Sequence, residues 1–296
     1  MKTSRLQSLR RLGVAAGVAG MTACLAVAGT TINSVNWHAY GANVGWLNAR
    51  GDVSNGAVIG RSYCTGLVWS ANCGWISLGN GPTNGWRYSN ASANDWGVNH
   101  DGLGRLRGLA YGANVGWISF ETNGDPRVSL LTGAMDGHAY GANVGWIGLS
   151  NAFAFVQTDR LDAGPDADSD GIPDAWELAA TGSLTELHGG AADRDSDGRT
   201  DTEEYLADTD PLDAGSNLRM VSLTGAAGAK NVAWTVEPTR FYRLEQSGHI
   251  TNSTAWADSG LGQLMPGAGP TLTGVVTEVE GPAFFYRASA VVPLAP

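Results

Sequence analysis

The chain has 296 residues, 43% of them apolar, with 42 glycines, 11 tryptophans and a formal net charge of −10. That is enough for two or three domains with cores of their own, and too apolar and aromatic for disorder. The 16% of charged residues include no basic stripe that could meet phosphate, which excludes nucleic acid as a partner.

Lys2, Arg5, Arg10 and Arg11 precede an apolar run over 12–28 that ends in the small residues Ala26-Val27-Ala28. Residues 1–28 read as a signal peptide, of Sec, twin-arginine or lipoprotein type. The run is short and weakly apolar for a span, and no second hydrophobic span follows. A secreted or cell-surface protein without a membrane span is expected. Cleavage leaves Cys64 and Cys73, and in an exported chain these predict a disulfide.

Residues 29–158 are built on one phrase. "AYGANVGWI" stands at 110–118 and 139–147, "AYGANVGWL" at 39–47 and the looser "VWSANCGWI" at 68–76. The aromatic markers Tyr40, Trp69, Tyr111 and Tyr140 are spaced 29, 42 and 29 apart, so the region reads as a duplicated pair of units. Repeats of this length complete their cores against neighbours. Within each copy Gly and Asn mark a turn. The following strand alternates two largely apolar faces, which predicts a strand covered on both sides in a repeat-built β-sandwich or sheet. Trp46, Trp75, Trp117 and Trp146 are expected in the core, whereas Trp86 and Trp96, in the polar insertion near 80–100, are the candidate exposed contacts for a polysaccharide. The aromatic-Asn-Gly-Trp-Ile skeleton over 36–150 resembles the tandem "GYAWSENIGWI"-type repeats of secreted bacterial proteins, a resemblance that implies a repeat module and no catalysis.

Residues 159–215 form an acidic connector. Seventeen of the chain's 28 acidic residues lie between Asp159 and Asp213 against three arginines, a net of −14 that leaves +4 for the rest. Such a block repels itself unless cations neutralise it. "DADSDGIPDAWE" (166–177) and "DRDSDGRTDTEE" (193–204) share the template D-x-D-x-D-G-x-x-D-x-x-E. Calcium takes six to eight oxygen ligands, which a twelve-residue loop supplies from positions 1, 3, 5, 7, 9 and 12 around a turn glycine. The first loop offers Asp166, Asp168, Asp170, the carbonyl of Ile172, Asp174 and Glu177. The second offers Asp193, Asp195, Asp197, the carbonyl of Arg199, Asp201 and Glu204, so about two calcium ions are expected. A short helix follows each loop, but Gly164 and Pro165 deny the first an incoming helix. The segment resembles thrombospondin type 3 and dockerin-like calcium repeats, including the ending "EEYLADTDPLDA", where Asp208 replaces the usual Gly. Glu at position 12 departs from the dockerin Asp and speaks against a cohesin partner.

Residues 216–296 return to strand patterns ("LRMVSLT", "NVAWTVE", "RFYRLEQSG", "TLTGVVTEV", "AFFYRASAVV") that predict a small β-sandwich. The pattern is similar to terminal domains of secreted bacterial proteins. Nucleophile-elbow, zinc-protease and phosphate-loop motifs are missing. His38 and His138 give way to Leu67 and Leu109 in the other copies and read as structural, and His100, His188 and His249 have no evident partners. The sequence thus predicts a mainly β, calcium-stabilised, non-enzymatic extracellular protein with a structural or adhesive role. Its expected partner is a polysaccharide, a cell-envelope component or another copy of itself.

Overall fold

The computed structural model describes residues 29–225, 228–251, 255–277 and 284–295, so the expected signal peptide lies outside the described residues. The protein is mainly β, with two short helices among the described residues. The first region holds β1 (Ile32–Gly41), β2 (Gly45–Asn48), β3 (Val58–Ile59), β4 (Cys64–Thr65), β5 (Leu67–Ser70), β6 (Gly74–Ser77) and β7 (Val98–His100). It continues with β8 (Leu106–Gly112), β9 (Gly116–Ser119), β10 (Arg127–Val128), β11 (Met135–Asp136), β12 (His138–Gly141), β13 (Gly145–Gly148) and β14 (Val156–Thr158). Each copy of the phrase is one hairpin, β1/β2, β5/β6, β8/β9 and β12/β13. Successive hairpins pair edge to edge and β13 returns to β1, so among the described residues eight antiparallel strands close into a barrel.

A closed barrel replaces the expected sandwich interior because every hairpin adds the same stagger. Asn48 faces Trp69, Ser77 faces Tyr111, Ser119 faces Tyr140 and Gly148 faces Tyr40. A stagger repeated four times curls the sheet until its last strand meets its first. The turns then lock one end. The side-chain amide of Asn72 donates to the Val44 carbonyl (3.0 Å), Asn114 to Cys73 (3.2 Å), Asn143 to Val115 (3.1 Å) and Asn43 to Val144 (3.1 Å). These four bonds form a ring around the barrel mouth. Glycine follows each turn because the backbone there is left-handed, as at Gly45 (φ +72°) and Gly145 (φ +75°), a geometry that costs other L residues roughly 1–2 kcal/mol.

The strand alternation is real, but only one face is covered, where cover on both was expected. Leu47, Ile76, Ile118 and Ile147 are 2–4% exposed and fill the barrel, whereas Trp46, Trp75, Trp117 and Trp146 are 42–49% exposed on its outside. An eight-stranded barrel has an interior only wide enough for side chains to fill, and here it takes Ala, Val, Leu and Ile. The indoles turn outward and pair across each hairpin with Tyr40, Trp69, Tyr111 or Tyr140, ring centroids 4.8–5.0 Å apart. A void of about 60 Å³ remains at the centre, lined only by apolar side chains and therefore dry.

Cys64 and Cys73 are both buried and free, so the expected disulfide is corrected. Cys64 lies just before β5 and Cys73 just after it, at opposite ends of a nearly extended segment that rises about 3.3 Å per residue. Burial pushes the Cys64 thiol up to about 12. Cys73 occupies the position held by Val44, Val115 and Val144. In those hairpins a Cβ on the facing glycine would come within 2.6–2.7 Å of the valine Cγ2. In the second hairpin the facing residue is Ser70, 1% exposed, and the unbranched cysteine makes room for it. The Ser-Cys pair is a packing substitute for Gly-Val.

Beyond the barrel come α1 (Asp174–Ala180) and α2 (Asp201–Ala207), then β15 (Met220–Thr224), β16 (Ala229–Thr235), β17 (Phe241–Ser247), β18 (Ala257–Leu264), β19 (Thr271–Thr277) and β20 (Phe285–Val291). These strands form the sheets β15-β16-β19 and β18-β17-β20 among the described residues. The two sheets share a core around Val232, Trp234, Tyr242, Leu244 and Val276. Leu161 N–H bonds the Leu294 carbonyl (2.9 Å) and Leu294 packs on the barrel core, so the C-terminal strap returns to the first domain.

Two stability measurements check this packing. In urea unfolding Ile118→Ala is expected to cost about 2–5 kcal/mol and the half-exposed Trp117→Ala about 1 kcal/mol; the reverse order would mean the faces are misassigned. Cys73→Val is expected to overpack Ser70 and cost about 1–3 kcal/mol, the loss being recovered when Ser70→Gly is added, while thermal melts with and without reductant overlay.

Candidate metal centre

The two acidic loops share one backbone path and most of its hydrogen bonds. Ser169 and Ser196 hold left-handed backbone (φ +62° and +63°), as do Gly171 and Gly198 two residues on (φ +96° and +93°). These turns wrap main-chain N–H groups around the first acid: Gly171 donates to Asp166 Oδ2 and Gly198 to Asp193 Oδ2, both at 3.0 Å. Likewise Ile172 N–H bonds Asp170 Oδ1 (2.8 Å) and Arg199 N–H bonds Asp197 Oδ1 (2.6 Å). α2 is fixed by a reciprocal cap between Thr200 and Glu203. Ile172 and Leu187 are fully buried against Tyr205, giving the connector a small core of its own.

This wrapping brings one carboxylate oxygen each of Asp193, Asp195 and Asp197 within 4.8 Å of one another, and it groups Asp168, Asp170 and His188 in the same way. Behind the loops, Glu177 on α1 and Glu204 on α2 are each 1% exposed. Glu204 Oε2, Asp193 Oδ1 and Asp195 Oδ2 are buried without a hydrogen-bond partner, as is Glu177 Oε1 in the first loop. Buried unpaired carboxylate oxygens are costly. Burial first, and the neighbouring aspartates second, push Glu177 up to about 7 and Glu204 up to about 8. Burial also raises Asp195. The second loop's cluster is all carboxylate oxygen, and with such orphaned atoms it fits a hard cation. The second loop, with three orphaned oxygens to the first loop's one, fits it more completely.

Not every predicted ligand is aimed at the cluster. Asp174 Oδ1 accepts the Ala167 N–H (2.7 Å), and Asp201 accepts the N–H groups of Arg194 (2.8 Å) and His188 (3.0 Å). Both act as clamps from position 9 back to position 2, a role the loop template does not distinguish from ligation. The Ile172 side chain is core and the Arg199 guanidinium donates to the Leu218 carbonyl (3.0 Å), so only their carbonyls stand as candidate ligands. His188, which the sequence left without a partner, lies beside Asp168 and Asp170. Its signal was the following Gly189, whose N–H meets Asp170 Oδ2 at 2.6 Å and where a Cβ would run into the Asp170 carbonyl oxygen.

The connector also joins the domains. Asp208 sits at the end of α2 with left-handed backbone (φ +60°), where glycine is usual. Its carboxylate accepts Trp176 Nε1–H (2.8 Å), pairs with Arg240 (3.4 Å) and binds the Thr239 hydroxyl. Arg240, buried, donates to the carbonyls of Tyr205 (2.8 Å) and Leu206 (2.9 Å). From the barrel, the Arg61 guanidinium reaches the Tyr205 hydroxyl. Asn217 Nδ2 donates to Asp197 Oδ2 (2.6 Å), tying the second loop to the C-terminal domain.

Neither Trp86 nor Trp96 is the open contact expected of it. Trp86 lines a crevice of about 230 Å³ between barrel, connector and C-terminal domain. Trp96 packs edge-on against Trp117, centroids 5.2 Å apart. His100 is a buried structural residue, hydrogen-bonded to the Gly60 carbonyl (3.0 Å) and to Gly104 N–H (3.1 Å).

No family model, characterised protein or solved structure matches the chain.

The raised glutamates carry a pH signature. Glu177 and Glu204 start from an ordinary 4.5, so between that value and 7–8 the folded chain holds protons that the unfolded chain has lost. Stability therefore falls as pH rises through this window. Melting temperature in chelator is expected to drop from pH 5 to pH 8, and saturating calcium to remove the drop because the cation replaces the proton.

Proposed function

We propose that this is a non-enzymatic extracellular protein in which a calcium-loaded connector locks a β-barrel to a C-terminal β domain, in a structural or adhesive role. The observation that carries this reading is the set of buried, unpartnered carboxylate oxygens on Asp193, Asp195 and Glu204, at the loop that Asn217 and Arg199 bond to the C-terminal domain. Asp166, Asp168, Asp170 and Glu177 would hold one ion, with the Ile172 carbonyl. Asp193, Asp195, Asp197 and Glu204 would hold the other, with the Arg199 carbonyl. Calcium suits the reading better than magnesium, because each loop offers many oxygen donors and magnesium demands a tighter octahedron and keeps several waters. Loss of the ion from the second loop leaves the like charges of Asp193, Asp195 and Asp197 unopposed at the joint.

Calorimetric titration of the chain with calcium is expected to show about two ions, the tighter at the second loop. Glu204→Gln should abolish the tighter step and Glu177→Gln the weaker. In chelator, trypsin should cut at Arg199 and Arg219, and in calcium both sites should be protected. A heatless titration with identical digests would remove the reading.

A further inference from the structure

The barrel's outer face carries four equivalent aromatic pairs, and the third and fourth differ in one informative way. Gly97 and Gly124 hold the same place: the Gly97 carbonyl accepts Leu109 N–H (3.1 Å) and the Gly124 carbonyl accepts His138 N–H (2.8 Å). Each acceptor lies beside a hairpin whose aromatic pair is exposed. Before Gly97 stands Trp96, whose ring rests on Tyr111 and Trp117 at 6.0 and 5.2 Å. Before Gly124 stands Asn123, which has no ring to offer. In the fourth hairpin the pair Tyr140 and Trp146, 43% and 49% exposed against 37% and 45% for Tyr111 and Trp117, borders an open groove of about 200 Å³.

The groove's other walls are polar. Ser119 ends β9, Glu121 and Asn123 lie in the turn that follows it, and His138 sets its ring edge-on to Trp146 at 6.2 Å. We propose that this groove binds one residue of a neutral pyranose glycan. The sugar's apolar face would lie where Trp96 lies in the third hairpin, and its hydroxyls would meet the groups at the rim. Trp96 demonstrates within the same chain that a ring-shaped body packs against such a pair. A purely aromatic guest from another protein would cover the indole but leave Glu121, Asn123 and His138 unmatched, which costs affinity. Glu121 at the rim disfavours acidic glycans. The proposal moves the polysaccharide contact away from Trp86 and Trp96 and stands independently of the metal loops.

The test is titration of the full chain, in calcium, with cellohexaose, laminarihexaose, xylohexaose, mannohexaose and N-acetylchitohexaose, read by tryptophan fluorescence and calorimetry. At least one is expected to bind with a Kd of about 1 mM or tighter. Trp146→Ala should weaken it roughly tenfold or more. Asn123→Trp, which copies the plug of the third hairpin, should abolish binding while leaving the melt unchanged or raised, and Trp117→Ala should leave affinity unaltered. If no hexaose binds, or if binding survives Asn123→Trp, the groove is not a glycan site.

Discussion

Everything in the first domain depends on a closed cycle of four hydrogen bonds at the barrel mouth. Each asparagine amide reaches the carbonyl at the end of the preceding turn, and the last turn is served by the first. A bond of this kind is worth only about 1 kcal/mol net. The cycle matters through geometry, because it can form only if all four hairpins have the same tilt and stagger. It dictates the rest of the phrase: glycine for left-handed backbone beside the asparagine amide, a small residue facing the valine, and isoleucine inward.

The connector meets a different physical problem. It gathers acidic side chains into two turns and then seals a glutamate behind each, where water cannot screen it. Much of the acidic character is spent on main-chain N–H groups, as Asp166, Asp174, Asp193 and Asp201 illustrate. What remains is concentrated at the second loop, which is bonded to Asn217 and Leu218 of the next domain. The uncompensated charge therefore lies at the joint itself.

The sequence made some features legible and hid others for identifiable reasons. The four turns, each followed by a strand, were readable because glycine and asparagine at fixed offsets leave little choice of turn. The side facing inward was not, because both strand faces are apolar and only closure decides which one has room for an indole. Cys73 misled because two cysteines in a chain read as exported suggest a disulfide, while the compensating Ser70 becomes visible only when the copies are laid over one another as packed layers. The acidic loops were plain from their template. That template could not separate ligand from clamp at Asp174 and Asp201, since both roles ask for the same residue. Nor could it place His188, brought in by a connection whose path depends on the buried Leu187. β18 escaped notice because Gly260 and Gly262, both at positive φ, disguise a strand as a loop.

Closure also fixes how this architecture can change. An open stack of repeats can gain or lose a unit at either end, and its terminal units need special caps. Here the turn of the fourth copy is bonded to the turn of the first, so there is no end at which to add. A fifth hairpin would widen the barrel and leave its interior underfilled, and a loss would expose two raw sheet edges. The repeat number is therefore quantised at four, and variation is confined to the segments between copies. The 42-residue interval between the second and third copies, which delivers Trp96 to its pair, shows how one such segment can alter a single outer face while the barrel stays the same.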